Sequence, residues 1–219
     1  MSAPLTLALD AAPSIGTVAV FRGRDLVAEE EVPMRGEHEE RLMPAVHRAL
    51  GRAGATAAEL ERVVCGAGPG SFTSLRIAAA IAKGLAAARG CPLHAVGSLA
   101  LIAAGARPAI RPGRYLAALD AMRGECFALP LDVDGRGWVA AAGDARLVPR
   151  AEVEEEARRL GATTLGAGMQ VDARPHARGA LQVAEMPPVD LEGWEPVYGR
   201  LAEAQVRWEA AHGRPLPAG

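Results

Sequence analysis

Aromatic residues make up only 4% of this 219-residue chain, and lysine occurs once, at Lys83. So few rings provide no stacking platform for single-stranded nucleic acid. With 24 basic against 26 acidic residues and a net charge of -2, no basic stripe is available to follow a phosphate backbone. Cysteine is scarce as well. Cys65, Cys91 and Cys126 are odd in number and form no C-x-x-C pair, which argues against a disulfide framework or a zinc site and fits a reducing cytoplasm. Long apolar runs are missing. The longest uncharged stretch, Gly90 to Ala106, is interrupted by Pro92 and Gly97 and falls short of the ~20 apolar residues that span a bilayer, so no membrane role is expected. The first residues lack a basic start and a cleavable apolar segment, and no signal peptide is expected. Catalytic signatures are absent too. Neither H-E-x-x-H nor G-x-S-x-G occurs. Among His38, His47, His94, His176 and His212 no pair has i, i+4 metal spacing, since Leu42 stands four residues after His38. Cys126 lies in an expected strand with no histidine nearby in sequence and reads as structural.

What is present is a strongly organised stretch from Val63 to Arg89, VVCGAGPGSFTSLRIAAAIAKGLAAAR. Val63 to Cys65 reads as a short buried strand. Gly66, Gly68 and Gly70 with Pro69 form a tight turn. Ser71 or Thr73 is placed as the N-cap of a helix from Ser74 to about Arg89, stopped by Gly90 and Pro92. A glycine-rich turn leading into a helix N-terminus offers unpaired N–H groups to an anion, so Gly68, Gly70 and Ser71 are candidate cofactor contacts. The P-loop pattern is not met, because Ser71 rather than Lys follows Gly70. The dinucleotide pattern fails as well, with Ser71 in place of its third glycine. On local chemistry, close packing accounts for the turn better than an anion does.

Along the helix, Ile77, Ile81, Leu85 and Ala88 fall on one line, which is expected to face the sheet. The opposite line, Ala79, Lys83 and Ala86 flanked by Arg76, is short-chained. That suggests a face another helix could approach closely, against the alternative of a generally alanine-rich chain.

Taken in order, strands are expected at Leu5–Asp10, Gly16–Phe21 and Leu26–Val32. A helix follows within Glu37–Leu50, with Pro44 in its first turn or at a kink. After the glycine turn and its helix come a strand at Pro92–Val96 and a helix from Leu99 to about Ala106, capped by Ser98. This β-β-β-α-β-α-β-α order implies helices covering a five-stranded mixed sheet. Arg107–Gly113 is the expected boundary, dividing the chain into 1–106 and 107–219. Beyond it, strands are expected at Tyr115–Asp120, Glu125–Leu131 and Trp138–Ala142, and a hairpin turn at Asp132–Gly135. A helix at Pro149–Leu160, short strands at Thr163–Leu165 and Leu181–Ala184, and a last helix at Val197–Ala211 complete the reading. The D-x-D-G run at the hairpin fails as a calcium loop, because Arg136 and Gly143 occupy ligand positions. Asp10 and Asp120 each end a strand. There a carboxylate could hold a metal or nucleotide, although turn chemistry is the more ordinary role.

The segment GAGPGSFTSLRIAAAIAKGLA closely resembles the signature of the TsaB (YeaZ) family. LALDAAPSIGTVAVF, GEHEERLMPAV, HAVGSLALIA, ALDAMRGECFAL and EPVYGR resemble further landmarks of that family, in order. The resemblance implies an α/β fold of the actin-like ATPase superfamily: two RNase H-like subdomains with mixed sheets, the second shortened, since only eight residues separate Met186 from Glu195. It also implies a non-catalytic, cytoplasmic subunit that binds a TsaD-type catalytic subunit in tRNA N6-threonylcarbamoyladenosine synthesis. A TsaE-like ATPase would join the complex, tRNA would be met only through it, and the chain alone would form a homodimer. No catalytic residue, cofactor or metal is implied, and Leu42 stands where a second metal-binding histidine would be required. The partner surface implied is built from the first two helices: His38, Leu42, Met43 and Val46 on one, and Arg76, Ala79, Lys83 and Ala86 on the other. Ser74 and Ala78 replace glycines of the signature, and no Thr follows Asp10. The alternative reading is an ATP-binding enzyme of the same fold using Asp10, Asp120 and the Gly68–Gly70 turn.

Overall fold

The computed structural model describes residues 3–34, 41–199 and His212. The chain opens with an antiparallel meander of β1 (Leu5–Asp10), β2 (Ile15–Arg22) and β3 (Asp25–Pro33). Helix α1 (Leu42–Arg52) follows, then β4 (Arg62–Gly66), α2 (Phe72–Arg89), β5 (Leu93–Val96) and α3 (Ser98–Ala104). The first sheet has the order β3-β2-β1-β4-β5, with β4 and β5 parallel to β1. This matches the β-β-β-α-β-α-β-α expectation. Pro44 sits in the first turn of α1, where its missing N–H costs nothing.

Alternation along β1 decides the layering. Leu5, Leu7 and Leu9 point to one face and join Val63, Cys65 and the buried sides of α1 and α2 in one core. Ala8 belongs to the other face, where Val64 and Val96 meet α3. That second core continues without a break into the second sheet. It is built from β6 (Gly113–Asp120), β7 (Glu125–Val133), β8 (Val139–Ala141), β9 (Arg146–Pro149) and β10 (Thr163–Leu165). The order is β10-β6-β7-β8, and β9 pairs with β7 at its other end. Helix α4 (Val153–Arg159) covers the far face through Val153 and Ala157, against Leu116, Ala118 and Cys126. The layers therefore run α1/α2, first sheet, α3, second sheet, α4. This is the mixed α/β architecture with two sheets, the second supported by less helix.

Several local expectations change. Ser98 is the first residue of α3, preceded by Gly97, and does not cap it. Residues 181–184 are not a strand. Ala177–Gln182 is a 3₁₀ turn, and only Val183 bridges to Val139. This turn packs tightly on α3, where a Cβ on Gly179 would lie 2.4 Å from the carbonyl carbon of Ala104. Strand β9 occupies residues for which no element was expected, apart from Pro149, the expected start of the helix. The hairpin forms with its turn two residues later than expected: Asp132 and Val133 extend β7 and pair with Ala140 and Val139, and Asp134 Oδ1 accepts the N–H groups of Arg136 and Trp138, each at 2.8 Å. Val197 is not helical, and the rest of the expected last helix lies outside the described residues.

The chain after the second sheet returns to the first. Ala95 N–H donates to Pro187 O and Val189 N–H to Leu93 O, so this segment runs along the outer edge of β5. It passes Lys83, whose Nζ lies 3.5 Å from Glu192 O, and ends with Val197 N–H on Ala67 O. Among the described residues no helix is long and apolar enough to cross a membrane.

The close contact at Gly179 is testable. Gly179→Ala should destabilise the protein by about 2 kcal/mol, the usual cost of overpacking, read from urea unfolding.

Candidate functional site

The glycine turn is explained by what it touches. Asp10, at the end of β1, is fully buried. Ser98 Oγ donates to its Oδ1 at 2.5 Å and Ala12 N–H to its Oδ2 at 3.2 Å. Gly66 passes directly over this carboxylate, where a Cβ would sit 1.9 Å from Oδ1. Gly68, with φ +85°, donates its N–H to Ser98 Oγ at 3.0 Å and accepts Ser98 N–H at 2.9 Å. Gly70 lies against Ala12, where a Cβ would be 2.4 Å from Ala12 O, and Ser71 N–H donates to that same carbonyl. Gly66 clears the Asp10 side chain, Gly68 the Val197 carbonyl and Gly70 the Ala12 backbone, so close approach accounts for all three. Ser71 holds the N-cap position, but its hydroxyl accepts from Ser74 rather than from the helix backbone. Burial pushes the Asp10 carboxyl up to about 6, against the lowering effect of the Ser98 and Ala12 hydrogen bonds. Such a group serves as an internal tie between β1 and the start of α3.

The docking face read from the sequence is corrected. On α2, Leu75, Ala78, Ala79, Ala82 and Ala86 are buried, with Ala79 at 6% and Ala86 at 0% exposure. Ile77, Ile81 and Leu85 are half-buried along the flank. The sheet beneath already carries Leu7, Leu9, Val63 and Cys65, so small residues bring the helix axis close and the larger ones move aside. The exposed line is Thr73, Arg76, Ala80, Gly84 and Ala87. A short-chained outer face exists, but it is one residue round from the expected one. Two alanine lines run along this helix, and spacing alone does not tell which is inward. On α1, Leu42 and Val46 are fully buried and are likewise removed from the exposed set, while Met43 is 40% exposed. Arg76 is exposed and Lys83 half-exposed. His38 lies outside the described residues.

Behind the turn a cavity of about 930 Å³ opens between the two sheets. Gly70 and Ser71 line it, together with Asp120, whereas Asp10 and Gly68 do not. Its walls include Phe72 and Tyr198, whose ring centroids are 4.5 Å apart. The sequence reading missed Tyr198, because only the fold brings it to α2. The cysteine thiols offer no nucleophile. All are buried and free, and burial raises the pKa of each.

Comparison with known proteins places this architecture. A model of the TsaD family, described as tRNA N6-adenosine threonylcarbamoyltransferase, matches residues 33–159. The tRNA threonylcarbamoyladenosine biosynthesis protein TsaB of Escherichia coli is 34% identical over 75% of this chain and 71% of its own length. The Bacillus subtilis protein of the same name is 30% identical over 92% of this chain and 96% of its own. The chain belongs to the TsaB family of tRNA threonylcarbamoyladenosine biosynthesis proteins. YeaZ from Pseudomonas aeruginosa superposes with a TM-score of 0.72 at 25% identity, covering 89% of this chain and 99% of that one. In this TsaB-family chain, then, the signature glycines serve the close contacts of β1, the turn and α3.

The Asp10 tie has a pH signature. Its folded pKa, about 6, exceeds the unfolded value of 3.8, so its contribution is full below about pH 4 and is lost as pH rises through about 6. Asp10→Asn removes this dependence. Between pH 4 and 7.5 the stability of the variant relative to wild type should therefore rise by about 2 kcal/mol, measured from urea midpoints at the two pH values.

Proposed function

We propose that this TsaB-family chain is a non-catalytic subunit that docks a TsaD-type transferase through the outward sides of α1 and α2. The observation carrying this reading is the exposed Ala80–Gly84–Ala87 line. A Cβ on Gly84 would meet nothing within 4 Å, so another helix can approach the backbone there. Met43, exposed on the neighbouring α1, supplies an apolar contact on the same side of the sheet. In this reading a TsaE-like ATPase joins the pair in the cytoplasm, tRNA is met only through the complex, and the same helices mediate a homodimer when the partner is missing. The division into units 1–106 and 107–219 belongs to the proposal, supported by strands of the first sheet ending at Val96 and those of the second beginning at Gly113. The reading as an ATP-using enzyme loses support from Asp10, whose two oxygens are engaged by Ser98 and Ala12.

Arginine at Gly84 or Ala80 tests the surface. Gly84→Arg and Ala80→Arg should each change stability by less than about 1 kcal/mol, since both side chains enter solvent. Each should weaken binding to the TsaD-type protein of the same organism at least ten-fold, read by calorimetry and by light scattering after size exclusion. Unchanged affinity in both removes this face from the proposal. Ala79→Arg would not serve, because it places a charge in the core. Gly84→Ala should stabilise the chain alone by about 0.5–1 kcal/mol, through helix propensity, in thermal unfolding.

A further inference from the structure

The cleft between the sheets has a composition that the docking reading does not use. Its apolar lining includes Ile102, Leu119, Phe127 and Leu147. One wall is the Phe72–Tyr198 ring pair. Tyr198 is fixed there by its hydroxyl, which accepts from Arg76 Nε at 3.2 Å and donates to Glu195 Oε2 at 3.1 Å. Arg123, Arg150 and Arg174 also line the cavity. Among the described residues Arg123 and Arg174 make no hydrogen bond or ion pair. Among those same residues the Arg150 guanidinium meets only the Ala167 carbonyl and the Cys126 sulfur. The lining therefore carries three guanidinium groups against the carboxylates of Asp120 and Glu125.

The turn that bears Arg123 is strained. Met122 and Arg123 have φ of 65° and 56°, consecutive left-handed residues that each cost about 1–2 kcal/mol without glycine. Both line the cavity. Strain of this kind persists where the surrounding structure holds it, and such positions gather at ligand sites. A concave, largely apolar cavity with a few converging polar groups is the usual form of a small-molecule site. Guanidinium forks select carboxylate or phosphate heads, and the rings and aliphatic floor suit a flat apolar body. The two lining carboxylates are too few to supply a divalent cation's usual set of six or so oxygen ligands, so charge recognition falls to the arginines.

We propose that the cleft binds a small organic anion, with its carboxylate or phosphate head on Arg123 and Arg174 and a flat apolar body against Phe127 beneath the Phe72–Tyr198 wall. The cleft adjoins the exposed line of α2 at Arg76, which holds Tyr198, but its arginines lie on other elements and the proposal does not depend on the docking reading.

The test titrates the full chain with 1-naphthyl phosphate by calorimetry in the presence of EDTA, alongside 1-naphthoate, 1-naphthol and inorganic phosphate. At least one of the two aromatic anions should bind ten-fold or more tightly than naphthol or phosphate, and the stronger of the two identifies the head group. Arg123→Ala and Arg174→Ala should each weaken that binding at least five-fold with unchanged urea midpoints, whereas Arg136→Ala, on the distant hairpin, should leave it unaltered. The proposal is overturned if neither aromatic anion binds at millimolar concentration, if inorganic phosphate binds as well as they do, if the arginine variants bind like wild type, or if binding requires added Mg²⁺.

Discussion

A single buried carboxylate holds together the parts of this protein that matter most. Asp10 ends the central strand of the first sheet and receives the hydroxyl of Ser98, which opens α3. The same hydroxyl accepts the N–H of Gly68 in the turn before α2. Two residues after Asp10, the Ala12 carbonyl receives the N–H of Ser71 at the start of α2. One strand end thus sets the origin of two helices, and one of these helices lies between the sheets. A polar group in such a place is costly unless its hydrogen bonds are met, and here both oxygens have partners. The glycines follow from this arrangement, because any side chain at Gly66 or Gly70 would displace the groups the node connects.

Helix α2 shows how bulk is distributed once that origin is fixed. The sheet face below it is filled with leucine and valine, so the helix contributes alanine to the contact and carries its isoleucines on the flank. Its exterior is then short-chained as well. Such a helix is unusual for a solvated surface and suits close approach by another helix.

Much of the first half was legible in the sequence, because its strands alternate, its turns carry glycine, and its helices are long enough to show their period. The inward face of α2 was not legible. Ala78–Ala82–Ala86 and Ala80–Gly84–Ala87 are equivalent in hydrophobic pattern, and only the crowded sheet distinguishes them. Leu42 and Val46 were read as part of the partner surface, and the core takes both. Asp10 was legible as a strand-end carboxylate but not as a buried one, since its partner Ser98 lies 88 residues away. Tyr198 and the cleft it walls were invisible for the same reason. The second half was harder to read because its elements are short: β8 and β10 have three residues each, too few for alternation to register.

The return of residues 187–197 along β5 has a consequence for how the first sheet meets other molecules. An open strand edge is a template for main-chain pairing and hence for uncontrolled association. On the β5 side that edge is occupied by the chain's own Pro187–Val189 segment. On the β3 side it carries Glu29, Glu30 and Glu31, which draw Arg48, Arg107 and Arg178 about them. With one border filled and the other charged, strand addition is discouraged at both ends of this sheet. Recognition by this half of the molecule is therefore left to side chains, whose fit can be altered one residue at a time without inviting the sheet to grow.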